Sequence, residues 1–131
     1  METFEKLNED LTNQLFDIYQ HIWFTSDRTI DDIKTMLNNS YMTLAFVEEG
    51  KLMAFCRVVS DGIYKAFIFD VIIKEPMQNK KLGSLLFKTL LRHEKMKGIK
   101  HIELYCPKDM IKYYKKSGFR PQSSVLLRYK K

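Results

Sequence analysis

The fold is decided by the stretch FIFDVIIKEPMQNKKLGSLLFKTLL, residues 67–91. Its first seven residues are apolar except for Asp70, a pattern typical of a central β-strand that is covered on both faces. A polar loop follows, and apolar residues then recur at helical spacing from Leu82 onward. The stretch therefore predicts a strand over 65–73, a loop, and a helix that ends at Gly98.

The flanking segments predict an alternating arrangement of further helices and strands. Asn8 and Thr29 are typical N-terminal caps, and the turn at Glu49-Gly50 is typical of a hairpin. The other predicted elements are a short strand around 4–7, helices over 8–23, 29–37 and 109–117, and strands over 41–47, 51–59, 99–106 and 124–129. This order predicts an α+β (mixed α/β) domain with a mixed sheet, and no repeat or linker divides it, so one domain is expected over residues 1–131.

Composition excludes several classes of protein. The chain is 45% hydrophobic and 29% charged, which fits a packed domain and not a disordered chain. No apolar run approaches the about 20 residues of a membrane helix, and the amino terminus is acidic, so we expect a cytoplasmic protein without membrane partners. Cys56 and Cys106 lack metal-ligand spacing, so free thiols and no metal site are expected.

Charge is distributed unevenly along the chain, although the net charge is only +6. Residues 1–50 hold ten acidic and three basic side chains, whereas residues 74–131 hold sixteen basic and four acidic ones. A basic half can attract a polyanion. There is no helix-turn-helix, aromatic RNA-binding motif or zinc spacing, so nucleic acid is not expected as a partner.

The loop and helix start over 78–83 suggest a phosphate site. A helix N-terminus offers unpaired N–H groups and the positive end of its dipole, and Lys80 and Lys81 add positive charge. Gly83 has no Cβ that would hold a pyrophosphate away. A solvated basic helix start explains the same residues equally well, so both interpretations stay open from these residues alone.

Three motifs in this order resemble the GNAT superfamily of acyl-CoA-dependent N-acetyltransferases. They are DVII at 70–73, QNKKLG at 78–83 and YKKSGF at 114–119. The likeness spans residues 41–129 and extends upstream through Trp23 and Arg28, where it is similar to a bacterial subgroup of small members. It implies a central mixed sheet that is splayed between its fourth and fifth strands, with helices on both faces.

The resemblance also implies a reaction. The chain is expected to transfer an acetyl group from acetyl-CoA to a primary amine, by direct attack in a ternary complex and without a metal. The acceptor is expected to be a small molecule or a peptide, and the protein a monomer or a homodimer paired through its last strand. The alternative is a non-catalytic acyl-CoA-binding or regulatory protein that keeps this fold.

Site residues follow from matching the family motifs to this sequence. Tyr114 is implied to protonate the departing thiolate. Lys81 stands where the family usually has a glycine, so its effect on binding is open. The residues implied to bind acetyl-CoA are Val71, Ile72, Ile73, Gln78, Asn79, Lys80, Lys81, Leu82, Gly83, Ser84 and Tyr114.

The catalytic base is less determined. Asp70 is the only charge in the apolar run 67–73, so burial is expected to raise its pKa and to make it a candidate base. Alternatively, it is a structural carboxylate that is hydrogen-bonded to a neighbouring strand or to Arg57. Glu103 is the second candidate, although a solvated or salt-bridged face explains it as well, and water is the remaining candidate. Tyr113 is expected to pack in the core, and Trp23 either lines the acceptor entrance or closes the first helix onto the sheet.

Overall fold

The computed structural model describes residues 1–74 and 81–131. Its strands are β1 (Glu2–Phe4), β2 (Met42–Glu48), β3 (Lys51–Ser60), β4 (Lys65–Ile73) and β5 (His101–Glu103), and its helices are α1 (Glu9–Gln20), α2 (Ile30–Asn38), α3 (Leu82–Leu91), α4 (Glu94–Lys97) and α5 (Ile111–Lys115). The strands form one sheet in the order β1-β2-β3-β4-β5. The first four are antiparallel neighbours, and β5 runs parallel to β4. The predicted mixed sheet is confirmed.

Local sequence signals explain most element boundaries. The Asn8 side chain accepts a hydrogen bond from the Leu11 amide at 2.8 Å, and Thr29 accepts one from the Asp32 amide at 3.1 Å, so both predicted caps are confirmed. Glu49 and Gly50 both have positive φ, 50° and 77°, as the tight turn between β2 and β3 requires.

The two faces of the sheet are covered by different helices. Helices α1 and α2 bury Leu15 and Ile33 against Phe55 on one face, whereas α3 and α4 bury Leu86 and Met96 on the other. Because side chains alternate along a strand, neighbouring residues of β3 serve opposite cores. Helices therefore flank the sheet on both faces, as predicted.

Three expectations for the C-terminal half are wrong. The predicted strand over 124–129 is absent, and the segment is exposed, with Leu127 88% accessible, so the predicted pairing edge does not form within this chain. Strand β5 is limited to three residues of the predicted 99–106. The helix after Leu82 breaks at His93, whose side chain accepts a hydrogen bond from the Lys95 amide and caps α4 instead.

Among the described residues, no helix combines the length and apolar character that crossing a bilayer requires.

Candidate active site

A bulge interrupts β4 next to the point where β4 and β5 separate. The pairing with β3 runs from Phe69 opposite Arg57 to Ile72 opposite Phe55, so Asp70 and Val71 together face one residue, Cys56. Asp70 adopts φ 55°, a left-handed conformation that is uncommon for a residue with a side chain. Such bulges bend a strand and redirect its side chains.

Three side chains converge on the Asp70 carboxylate. The Arg28 Nη1, the Arg57 Nε and the Tyr19 hydroxyl donate hydrogen bonds to its Oδ2 at 2.8, 2.8 and 3.0 Å. Arg28 Nη2 lies 3.4 Å from Oδ1. The Asp70 side chain is only 8% exposed. We call these four residues the Asp70 cluster.

The expectation that burial raises the pKa of Asp70 is wrong. Burial does push the pKa upward, but the hydrogen bonds and positive charges of Arg28 and Arg57 outweigh it and lower the pKa below its usual value. The alternative interpretation, a carboxylate bound to Arg57, is confirmed. Burial and the neighbouring carboxylate raise the pKa of Tyr19, so its hydroxyl stays protonated and donates.

The sequence interpretation missed Tyr19 and gave Arg28 no role. Tyr19 fitted the apolar stripe of the first helix, and Arg28 lies 42 residues before its partner. One signal was available, because a lone carboxylate in a buried strand requires donors from elsewhere in the chain.

A cleft of about 640 Å³ lies between α1 and the last residues of β4. Its β4 wall includes three residues implied to hold acetyl-CoA, and its α1 wall adds a carboxylate and an imidazole. The described lining residues are Gln14, Asp17, Ile18, His21, Ile22, Val71, Ile72, Ile73 and Lys74. Gln14 is anchored on the hairpin between β2 and β3, since its side chain accepts a hydrogen bond from the Leu52 amide at 2.8 Å and donates to the Gly50 carbonyl at 2.9 Å.

Helix α3 begins close to this cleft, directly after a left-handed residue. Lys81 has φ 58° and ψ 23°, the conformation that glycine adopts without cost. This geometry gives a physical reason for the glycine that the family usually carries there. Leu82, Gly83 and Ser84 form the first turn, whereas Gln78, Asn79 and Lys80 lie outside the described residues.

The absence of a side chain at Gly83 lets a tyrosine approach the start of α3. A Cβ on Gly83 would overlap the Tyr113 hydroxyl oxygen and would lie 3.8 Å from an Ile73 side-chain carbon. Tyr113 thus packs against the start of α3 beside the end of β4. The predicted core position of Tyr113 holds for its ring, but its hydroxyl reaches the proposed pyrophosphate site.

Tyr114 packs differently from Tyr113. Its ring makes edge contacts with Phe87 and Phe119 at centroid distances of 5.6 and 6.4 Å. Burial, followed by the charges of Tyr113 and Cys106, raises the pKa of Tyr114 to about 12. Its hydroxyl is therefore a hydrogen-bond donor throughout the neutral range.

A second, basic cleft lies beside the other side of α3. It measures about 370 Å³ and is lined by Ser84, Lys88, Leu91, Arg92, Lys116 and Ser117. Ser84 is both in this lining and in the first turn of α3, so the cleft continues from the helix N-terminus. The arrangement suits an extended ligand with several phosphates.

Other candidates of the sequence interpretation lie in less suitable surroundings. Glu103 pairs with Lys65 at 2.8 Å. Trp23 is 87% exposed, so the idea that it closes the first helix onto the sheet is wrong. His21 is exposed and lines the cleft.

Comparison with known proteins identifies the class that this fold and site define. The model of the acetyltransferase (GNAT) family matches residues 4–119, so the chain belongs to that family. A crystal structure from Xanthomonas campestris pv. campestris of a protein belonging to the GNAT family shares the fold, with a TM-score of 0.82 and 18% identity over 98% of this chain and 94% of that one.

Curated relatives are longer than this chain. The uncharacterized N-acetyltransferase ycf52 of Pyropia yezoensis is 30% identical over 96 residues, which make up 70% of this chain and 55% of that protein. The chloroplastic GCN5-related N-acetyltransferase 1 of Arabidopsis thaliana is 26% identical over 118 residues, 89% of this chain and 58% of that protein. The chain thus spans little more than half the length of these relatives.

Proposed function

We propose that this chain transfers an acetyl group from acetyl-CoA to the primary amine of an acceptor. The observation that carries the proposal is the separation of the two parallel strands. The described pairing of β4 with β5 covers only Lys65–Phe67, and beyond it lie the bulge, the 640 Å³ cleft and the start of α3. An opening between parallel strands with a helix N-terminus beside it suits a long phosphorylated thioester.

The residues around the opening fit the parts of acetyl-CoA in order. The pantetheine arm extends β4 along Val71, Ile72 and Ile73, which form one wall of the larger cleft. The pyrophosphate binds the amides of the first turn of α3, from Leu82 to Ser84. Lys88 and Lys116 in the basic cleft face the remaining phosphate and contribute a salt-dependent part of the affinity.

The reaction is an acyl transfer to nitrogen. The amine nitrogen forms a bond to the thioester carbon, and the carbon–sulfur bond breaks with its electron pair going to sulfur. A proton leaves the nitrogen, and the sulfur gains one. In this proposal the backbone N–H of Val71, at the bulge, donates a hydrogen bond to the oxygen of the tetrahedral intermediate, a contact whose loss typically costs about 3 kcal/mol.

Tyr114 is the proposed partner of the departing sulfur. Its pKa of about 12 lies above the about 8.5 of an ordinary thiol, so complete proton transfer to the thiolate is uphill. A hydrogen bond that strengthens as charge develops on sulfur is the more favourable contribution. Tyr113, whose hydroxyl lies at Gly83, competes for this role on geometric grounds.

Asp70 does not suit the role of base. Its carboxylate accepts hydrogen bonds from three side chains and has a lowered pKa, so it is a weak proton acceptor. Water takes the amine proton in this proposal. The Asp70 cluster instead stabilises the left-handed residue of the bulge, which aligns Val71 with the cleft.

The alternative is an acyl-CoA-binding protein without turnover, an idea supported by Lys81 in place of a glycine. Calorimetry with CoA and a thiol-release assay with a panel of amines separate the two. Binding with turnover supports the transferase, and binding without turnover on any amine supports the alternative. Absence of CoA binding at low ionic strength contradicts both. The basic cleft is tested by the CoA affinity of Lys88→Gln and Lys116→Gln, with Lys34→Gln on α2 as the control.

A further inference from the structure

The Asp70 cluster carries an excess positive charge. Two guanidinium groups share one carboxylate, and the pKa shifts of Asp70 and Tyr19 keep the first ionised and the second neutral. One unit of positive charge is left over. The cluster lies immediately before Val71 in the chain, and consecutive Cα atoms are only about 3.8 Å apart.

The Arg57 guanidinium has hydrogen-bond donors that Asp70 does not use. It binds Asp70 through Nε, and its two terminal nitrogens make no hydrogen bond to the residues that the structure describes. Within the described part of the chain, no side-chain nitrogen or oxygen is both sealed from solvent and unpaired, so these nitrogens are open to solvent. The side chain as a whole is 17% exposed, compared with 28% for Arg28. A small ligand can therefore reach the fork without dismantling the cluster.

An aromatic surface adjoins the Arg57 guanidinium. The guanidinium carbon lies 5.1 Å from the ring centre of Phe69. Phe69 stacks on Phe67 at 6.2 Å and meets Tyr105 edge-on at 5.9 Å. Tyr105 is 52% exposed, so this part of the sheet surface is open. The combination suits a ligand with an anionic group and an apolar body.

The surrounding charges do not cancel the excess. Glu103, on the strand next to Phe67, is already paired with Lys65. The carboxylate among the described cleft-lining residues is Asp17 on α1, and His21 and Lys74 line the same cleft. Asp17 is thus available to an ammonium group, while Arg57 is available to an anion.

We propose that the acceptor is an amine that also carries a carboxylate, and that Arg57, with Arg28, binds that carboxylate. The inference deepens the proposed function and rests on it. A planar carboxylate matches the guanidinium fork, and its single charge matches the excess of the cluster, whereas a phosphate brings about −1.5 to −2. Because the cluster adjoins Val71, few bonds separate the carboxylate from the reacting nitrogen. A long polycationic amine is repelled by the same residues.

The test uses amines that differ only in the anionic group. Phenylalanine and phenethylamine form one pair, and ethanolamine phosphate and ethanolamine form the other. We expect kcat/KM to be at least 10-fold higher for phenylalanine than for phenethylamine. In Arg57→Gln this ratio falls at least several-fold, toward one, because losing a hydrogen bond to a charged group usually costs roughly 10- to 100-fold. Acetyl-CoA affinity should fall less than this ratio, because Arg28 and Tyr19 still hold Asp70 at the bulge.

Control variants separate a local effect from general damage. Arg128→Gln removes the same charge from the exposed C-terminal segment and leaves the ratio unchanged. Arg57→Lys keeps a cation beside Asp70, and it retains more of the ratio than Arg57→Gln. If Arg57→Gln does not fold, the comparison of Arg57→Lys and Arg28→Gln with wild type decides the question. A wild-type ratio near one, or an unchanged ratio in every Arg57 and Arg28 variant that folds, overturns the proposal.

Binding without turnover gives an independent measurement. Phenylalanine and phenethylamine are titrated by calorimetry into the protein saturated with CoA, where no acetyl group is available. Tighter binding of phenylalanine supports the anion site even if no thiol is released, and a lack of turnover then contradicts the transferase alone. If ethanolamine phosphate is preferred over ethanolamine but phenylalanine is not preferred over phenethylamine, the site binds phosphate and not carboxylate, and the assignment is overturned.

Discussion

The two halves of β4 have similar apolar composition and perform different tasks. Residues 66–69 pair with β3 on one edge, and residues 65–67 pair with β5 on the other. The second half begins with the left-handed Asp70, pairs with β3 again at Ile72 and Ile73, and lines the cleft from Val71 onward. The first half thus joins both neighbouring strands, whereas the second half leaves the β5 side open. The difference shows that one charged residue, held by partners distant in the chain, changes what a strand does.

The largest expected effect comes from removing the charge that holds the second half. Asp70→Ala leaves two guanidinium groups without their carboxylate and should destabilise the fold by about 3 kcal/mol, the low end for breaking a buried pair because both arginines are partly exposed. Asp70→Gly loses the same charge but accepts φ 55° freely, so it should be about 1 kcal/mol more stable than Asp70→Ala.

Chemical denaturation measures the free energy of unfolding of both Asp70 variants. Asp27→Ala, an exposed carboxylate next to Arg28, is the control and should leave the unfolding midpoint unchanged. If Asp70→Ala proves as stable as Asp70→Gly, the positive φ does not strain the strand, and the comparison of the two halves loses its basis.

The second effect concerns the two tyrosines beside the open half. Tyr114→Phe should lower kcat roughly 10- to 100-fold, the usual effect of losing a hydrogen bond to a charged group, here the developing thiolate. Tyr113→Phe should instead weaken acetyl-CoA binding, because its hydroxyl lies against Gly83. Steady-state kinetics and calorimetry distinguish them, and the reverse pattern assigns the catalytic hydroxyl to Tyr113.

The pH profile adds a second measurement for Tyr114. A group with a pKa of about 12 stays protonated across the usual assay range. Between pH 8 and pH 10 the kcat profiles of wild type and Tyr114→Phe should therefore have the same shape. A decrease in that range that disappears in the variant would contradict the raised pKa.

The third effect is acid sensitivity of the open half. The folded-state pKa of Asp70 is lowered, so its contribution to stability is present above the unfolded value of about 3.9 and is lost as the pH falls below it. Thermal unfolding between pH 6 and pH 2.5 should show this loss in wild type. Asp70→Asn has no carboxylate to titrate there, and an equally steep decrease in that variant would assign the loss to other acids.

The smallest effect tests the second left-handed residue, at the start of α3. Lys81→Gly should raise stability by about 0.5 kcal/mol, because relief of the positive φ exceeds the added flexibility of the unfolded chain. Lys81→Ala keeps the strain and should not gain stability, so it is the matched control. Both variants remove the charge, so CoA affinity should decrease in Lys81→Ala. It should decrease less in Lys81→Gly if close approach of the pyrophosphate to the backbone also contributes to binding.

Much of the fold could be predicted because its signals are local. The caps at Asn8 and Thr29, the turn at Glu49-Gly50 and the bounds of β4 each depend on residues within a few positions of one another. The predicted strand over 124–129 is wrong because its formation depends on long-range pairing and not on local signals. Its apolar and β-branched side chains fit a strand, but a strand also needs a paired edge, and pairing is decided by distant residues.

The sequence by itself determined the order of most elements and the family, because each is encoded in short stretches of consecutive residues. Only the tertiary structure decided the ionisation of Asp70, since its three donors come from α1, the loop after α1 and β3. The same holds for the contact of Tyr113 with Gly83, across 30 residues of chain. A pKa or a close packing contact depends on atoms that folding brings together, and no local pattern records them.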